Sequence, residues 1–492
     1  MLRTASRKRL RGSRREREKG LAGSISRVKV TLELSGPNEV FAPNREPRDR
    51  YRPVLDELEQ MGMKGWEERT GRVREKLLEE QRGYGIRDGD RTHPTDWFPR
   101  LVSAAGWQVL ERGLAQRLRA INEFLRRLEA GKEEVVPKEV IESSGLYDAS
   151  LPNRFGEVPA RQMGFDLVAV ESSAGGADGG WRYLVIEDNA RMPVGAMSMS
   201  RLRELTPEVF PGSYAALGVR SLGNPLGRLG EVLRAASPLP DPTLAILSTG
   251  PHDQYYLDHH LFAEQTDAIL AERHEVALDG EGYLVHKATG RRIDVVYERI
   301  EEGRIYDDLP KLIECHLEGR VQAIFAPNVN IVDDKGVYPF VPEMIRTYLG
   351  EVPVVENIET WSLAVEEDRR YVMEHFDELV TKSRSGWGGK DVLIAPEESG
   401  ETIEKFRRAV EENPVEYIAQ RPIDFSTHVL CSTDDSELTL RDSYADYRVH
   451  ALSPDPETVE VVPGAMTRVA APGSRLVNIS SGGVMKDTWV LS

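Results

Sequence analysis

The sequence predicts a mixed α/β (α+β) protein with a helical N-terminal segment and a β-rich remainder. Three observations carry this. A stripe of seven apolar residues, Trp107, Leu110, Leu114, Leu118, Ile121, Leu125 and Leu128, steps by three or four, the spacing of one face of an amphipathic helix. From about Gly164 the texture changes to short apolar runs, "GFDLVAVESS" and "WRYLVIEDN", separated by the hairpin-like loop "AGGADGG". A middle block then alternates strand-like and helix-like stretches.

The helical region runs from Tyr51 to about Ala130, and Gly131 ends its last helix. In the middle block "TLAILSTG", "RIDVVYERI" and "VQAIFAPN" read as strands, with a helix over Asp258 to Arg273. The last third reads as strands and hairpins around one helix from Gly400 to about Glu412. Its strands are "DELVTKS", "DVLIAP", "YIAQRPI", "DYRVHALS", "VEVVPGAMTRVA" and "RLVNISSGG". The expected organisation is a basic, disordered extension over 1–45, a mainly helical region over 46–160, strands over 161–240, an α/β subdomain over 241–330 and a β-rich lobe over 331–492.

Charge narrows the function classes. The 492 residues carry a net charge of −17, yet the first 20 hold nine Lys/Arg against two Asp/Glu, leaving −24 on the rest. Nucleic-acid backbones select basic surfaces, so no nucleic-acid partner is expected. The basic head lacks the apolar core of a signal peptide. No apolar run approaches the roughly 20 residues of a membrane helix. The two cysteines, Cys315 and Cys431, have no zinc spacing and fit free thiols in the cytoplasm.

Two stretches carry chemistry. "WRYLVIEDNARMP" ends a strand on Glu187-Asp188-Asn189. Strand side chains alternate, so Glu187, Asn189 and Arg191 share a face and Asp188 points the other way. Two oxygen ligands beside a cation suit Mg²⁺ and a phosphate; a polar turn after a strand is the alternative. "VTKSRSGWGGKDVLI" presents Lys382 on a strand, then Gly386, Gly388 and Gly389, then a second strand. Glycine-rich turns let backbone N–H groups approach an anion, and a lysine adds a point charge. The spacing is not that of a Walker A loop. Lys335 in "VDDKGVYPFVPEMI" and Gln420 in "YIAQRPI" complete the order a nucleotide clamp needs, with Gln420 on the adenine side. The histidines of "GPHDQYYLDHH" are not expected to bind zinc, because His259 and His260 are adjacent.

With these stretches, "VIEDNARMPVG", "VDDKGVYPFVPEMIRTYLGE", "LVTKSRSGWGGKDV", "YIAQRPI", "GAMTRVA" and "VNISSGGVMKDTWVL", the chain from about Tyr51 to Ser492 resembles the circularly permuted ATP-grasp family, related to the glutathionylspermidine synthetase ATP-grasp domain. The resemblance implies a nucleotide held between two β-rich lobes, with the metal-bearing strand ahead of the ATP-lid lysines. It implies ATP and Mg²⁺ as cofactors. The metal set falls on Asp166, Glu187 and Asn189. The nucleotide contacts fall on Lys335, Lys382, Gly386, Gly388, Gly389 and Gln420. Asp188 is left to a structural ion pair. The implied activity is an ATP-dependent carboxylate–amine ligase that forms an amide through an acyl phosphate, acting on small-molecule or peptide substrates. Arg191, Arg299, Arg448 and Arg468 are candidates to grip substrate carboxylates, the first three placed in the catalytic set. Kinase-like phosphoryl transfer and a non-catalytic nucleotide-binding module are the rivals. The sequence departs from the family pattern at Trp387 and Asp391 in the lid, at Ser383, at Tyr297-Glu298-Arg299, and at Asp446-Tyr447-Arg448-Val449-His450.

Overall fold

The computed structural model describes residues 28–33, 36–84, 94–173, 175–191, 193–253, 255–299, 310–324, 327–384, 386, 391–434, 437–479 and 482–492. Strands are numbered β1 to β19 along the chain. The largest sheet contains β1 (Val28–Thr31), β2 (Arg100–Val102), β3 (Gln162–Glu171), β4 (Trp181–Asn189), β11 (Glu356–Asn357), β16 (Thr427–Asp434), β17 (Glu437–Leu452), β18 (Glu460–Val469) and β19 (Val484–Val490). Its order is β11-β4-β3-β17-β18-β19-β2, with β1 and β16 also pairing β17.

Two smaller sheets flank the site. One is parallel throughout, in the order β10 (Gln322–Ile324), β9 (Val295–Arg299), β5 (Leu244–Ser248) and β6 (Ile269–Glu272). The other is antiparallel, in the order β12 (Thr360–Ser362), β15 (Tyr417–Gln420), β13 (Val380–Ser383) and β14 (Val392–Ile394). A hairpin of β7 (Val276–Leu278) and β8 (Leu284–His286) lies between β6 and β9.

The amphipathic stripe becomes helix Ala104–Glu129, capped by the Ser103 side chain on the Gly106 N–H. Gly131, at φ +64°, turns the chain away after it, a conformation that favours glycine. Trp107, Leu110, Leu114, Leu118, Ile121 and Leu125 all enter the main core with Phe165, Leu167 and Val185 of β3 and β4. That core fixes β3 and β4 from behind.

Four expectations are revised. Residues 28–45 were expected to be part of a disordered extension; instead β1 pairs with β17, and Phe41 and Glu39 are buried. Residues 1–27 lie outside the described residues. The helix expected over Asp258–Arg273 spans Tyr256–Thr266, because Asp267 adopts a left-handed conformation and Ile269–Glu272 joins the parallel sheet. The strand expected at "RLVNISSGG" does not form among its described residues, and its place in the sheet is taken by β19. Residues 51–130 are not wholly helical, since β2 pairs in parallel with β19. No helix among the described residues is long and apolar enough to cross a membrane.

Candidate nucleotide and metal site

The site begins with two paired strands. Asp166 of β3 lies directly opposite Glu187 of β4, and Gly164 opposite Asn189. The register slips between Asp166 and Leu167, so Ile186 is an extra residue on β4. Such bulges bend a strand and re-aim side chains beside functional sites. Facing side chains in an antiparallel pair stand about 5 Å apart at Cβ. Two carboxylates and an amide therefore gather at one strand end. Hard oxygen donors in this spacing fit a Mg²⁺ ion. Among the described residues no group of three His, Cys, Asp or Glu is placed to hold a metal.

Each carboxylate is already engaged by a protein cation. Asp166 is fully buried and accepts a two-pronged pair from Arg448, at 2.6 and 2.7 Å, and a third bond from Arg468 at 2.7 Å. Burial alone would raise its pKa, but the charges of Arg448 and Arg468 reverse this and hold it at about 2. Arg468 also grips Asp446. Glu187 pairs with Lys335 at 2.8 Å. The Asn189 amide donates to the Gly164 carbonyl at 3.3 Å. Asp188 turns to the other face and forms a buried pair with Arg117, both bonds 2.6 Å. The alternation read from the sequence thus separates Glu187 from Asp188 as the strand dictates.

Lys335 and Lys382 meet over this strand end. Lys335, Lys382 and Gln420 line one cleft with Glu187, Asp333 and Ile418. Lys335 donates to the Gly386 carbonyl at 2.7 Å, tying that residue to Glu187 of β4. Burial pulls the Lys335 pKa down, but Glu187, Asp333 and Asp334 outweigh it and keep the ammonium above its ordinary range. Lys382 forms no ion pair among the described residues, and the pull of Glu187 on it does not outweigh burial. Its ammonium donates to the Gln420 side-chain oxygen at 2.6 Å, and burial lowers its pKa to about 8. Gln420 in turn donates to Thr360 at 3.1 Å. Gly388 and Gly389 lie outside the described residues.

The three catalytic-set arginines separate. Arg448 is committed to Asp166. Arg191 donates its backbone N–H to Asp333, and its guanidinium acts electrostatically on both Asp333 and Glu298. Arg299 is buried at the end of β9; among the described residues its guanidinium makes a long hydrogen bond, 3.4 Å to the Tyr297 hydroxyl, and its Nε has no partner.

Sequence reasoning missed two residues here. Asp333 accepts the Ala190 and Arg191 backbone N–H groups at the exit of β4, and burial pushes its pKa up to about 6. Arg384, two residues after Lys382, clamps Asp334 through two 2.8 Å bonds and also reaches Ser143 and the Val140 and Val415 carbonyls. The paired aspartates before Lys335 were the available signal.

Residues 99–470 match the circularly permuted ATP-grasp type 2 family. The chain belongs to that family. A Frankia alni protein named "Putative glutamate--cysteine ligase 2-3" is 35% identical over 93% of this chain and 54% of its own length. This chain therefore spans about half of that relative. An uncharacterized protein of Synechocystis sp. is 31% identical over 92% of this chain and 96% of its own length. One from Mycobacterium tuberculosis is 30% identical over 92% and 84%. A glutathione synthetase-like effector from Globodera pallida, solved in apo form, superposes with a TM-score of 0.54 at 10% identity, covering 82% of this chain and 91% of its own. That likeness concerns the fold, which is ATP-grasp-like with a helical N-terminal segment.

Proposed function

We propose that this protein is an ATP-dependent carboxylate–amine ligase of the cytoplasm. The observation that carries the reading is the meeting of Lys335, Lys382 and Glu187 in one cleft between β4 and the β12–β15 sheet. Asp166, Glu187 and Asn189 would hold Mg²⁺, which when bound neutralises phosphate oxygens. Lys335 and Lys382 hold phosphate oxygens of ATP, and Gln420 lies on the adenine side of the cleft. Residues 385–390 are assigned as the lid that excludes water.

The chain's task is positioning and charge balance. A carboxylate oxygen of the acid attacks the γ-phosphorus, ADP leaves, and an acyl phosphate results. The amine nitrogen then attacks the acyl carbon, inorganic phosphate leaves with the bonding pair, and the nitrogen loses a proton. Arg299 is assigned to the substrate carboxylate because its guanidinium has an unused donor. Arg191 lies between the cleft and β9 and supports the same charge. Arg448 is assigned as the residue that orients Asp166. The relatives named as glutamate–cysteine ligases favour an amino-acid or peptide pair of substrates.

Hydroxylamine trapping tests the reading. With ATP, Mg²⁺ and a panel of amino-acid and peptide carboxylates including L-glutamate, hydroxylamine should yield a hydroxamate together with ADP. A stable phosphorylated product without hydroxamate would establish the kinase-like alternative. ATP binding without any turnover would establish a non-catalytic module.

A further inference from the structure

The two lysines of the cleft belong to different bodies of the molecule. Lys335 lies between Val332 and Val337, which enter the main core together with Tyr338, Val140 and Ile141. Lys382 lies on β13, whose sheet packs on a core of its own around Leu363, Phe376, Leu393 and Ala419. The two cores share no buried residue among those described. The spacing of the two ammonium groups therefore depends on what joins the bodies at their seam.

Arg384 occupies that seam. It stands two residues after Lys382, and its N–H extends the β13–β15 ladder to the Glu416 carbonyl at 2.8 Å. By strand alternation Lys382 and Arg384 leave the same face. The Arg384 guanidinium is 2% exposed and uses all five of its N–H donors. Nε and Nη2 grip Asp334 at 2.8 Å each, and Nη2 also reaches the Val140 carbonyl at 2.8 Å. Nη1 donates to the Ser143 hydroxyl at 2.8 Å and to the Val415 carbonyl at 2.9 Å. Asp334, Val140 and Ser143 lie across the seam, and Val415 lies on the side of the sheet. Asp334 in turn accepts from the Gly336 N–H at 2.7 Å and from the Ser144 hydroxyl. One carboxylate thus pins the turn Asp334–Gly336, with Lys335 at its middle. Gly336 has no room for a side chain, since a Cβ there would lie 2.3 Å from Arg384 Nε.

A lysine is a point charge on a flexible stem, so the place its ammonium takes depends on how its backbone is anchored. Misplacing a group at a reacting centre by about 1 Å can cost about 100-fold. We infer that Arg384 is a positioning residue: it sets Lys335 against Lys382 so that both ammonium groups reach one nucleotide. The inference rests on the reading of the cleft as the ATP site. With every donor taken, Arg384 itself contacts no phosphate.

Calorimetric titration of the full chain with ATP tests this without turnover, at a temperature where circular dichroism shows each variant folded. Arg384→Lys keeps the charge and loses the fork, and it should weaken ATP binding about tenfold or more. Gly336→Ala keeps every donor and acceptor but crowds the guanidinium, and it should weaken ATP in the same direction. Lys335→Met should weaken ATP as well. Adding Arg384→Lys to Lys335→Met should then weaken it less than about twofold further, because residues that act through one another are not additive. The same cycle with Gly336→Ala decides the matter if Arg384→Lys does not fold. A merely structural arginine would lower the melting midpoint and leave the Kd of the folded protein unchanged. A parent-like Kd in the folded variants, or losses that multiply in the Lys335→Met background, would overturn the inference and leave the ATP site standing. No ATP binding by the parent chain would overturn both.

Discussion

Lys382 makes ATP binding depend on pH in a way that can be calculated. Its pKa is about 8, lowered by burial, with Glu187 opposing and Lys335 assisting that shift. If its ammonium grips a phosphate, binding restores the charged form and lifts the pKa well above the working range. ATP must then recruit a proton at every lysine that is neutral beforehand. The neutral fraction is roughly one-tenth at pH 7, one-half at pH 8 and nine-tenths at pH 9. Proton uptake per ATP bound should follow these values, and the apparent Kd should rise about tenfold between pH 7 and pH 9. Lys335 stays charged throughout, because its pKa is raised. Calorimetry at pH 8.5 in buffers of different ionisation enthalpy measures the uptake directly. Lys382→Met should abolish it and flatten the pH dependence. Equal uptake in the parent and the variant, or none in the parent, would refute the assignment of Lys382 to a phosphate. The sign for stability is separate: an unfolded lysine keeps its proton to about pH 10.4. The unfolded chain therefore holds more protons between about pH 8 and 10, and this group's contribution to stability rises with pH over that window.

Three other perturbations have defined outcomes. Arg117→Met leaves Asp188 as a buried, unpaired charge and should cost about 3–5 kcal/mol, seen as a lowered urea midpoint; adding Asp188→Leu should recover part of the loss. Glu187→Gln should reduce Mg²⁺-dependent ADP formation by orders of magnitude and leave the thermal midpoint nearly unchanged, so near-normal turnover would remove Glu187 from the metal set. Asp258, raised to about 6 by burial, binds its proton more tightly when folded, so its contribution to stability falls as pH rises from about 4 to 6. Asp258→Asn should flatten that part of the melting-temperature profile.

The sequence discloses elements whose burial follows a simple period. Helix Ala104–Glu129 has one apolar face, and β4 alternates cleanly at its end. The parts that escape are those in which charge is buried. β19, "VMKDTWV", sits inside the largest sheet, yet it carries Lys486 and Asp487. Lys486 is satisfied by Asp96 and the Phe98 carbonyl, and Asp487 Oδ2 accepts from Arg203 and Trp489 while its Oδ1 has no partner. Buried in this way, the two charges erase the hydrophobic pattern that marks a strand. β2 is only three residues long and begins with Arg100, buried against Glu39. The same limit applies at the site. Spacing placed Glu187 and Asn189 on one face, but nothing local showed that Arg448 and Arg468 converge on Asp166 from β17 and β18.

On the proposed assignment, that convergence sets how the site would fill. Asp166 rests on two arginines and Glu187 on a lysine, so a lone metal ion meets carboxylates that are already neutralised. Displacing those cations would leave them buried without counter-charge, which is costly. Phosphates change the balance. They give Lys335 an alternative to Glu187 and Lys382 an alternative to Gln420, and they bring the negative charge that a divalent ion compensates. Arg468 is not stranded, since it keeps Asp446 as a second partner. Arg448 bonds no second carboxylate among the described residues, but Glu187 acts on it electrostatically and its side chain lies toward Gly164, the register partner of Asn189. A group of acyl-phosphate charge placed there would meet Arg448 as Asp166 turned to the metal. On the proposed assignment, metal, nucleotide and acid would be linked through one exchange of ion-pair partners, and the arginine clamp on Asp166 would act against metal binding until the phosphates arrived.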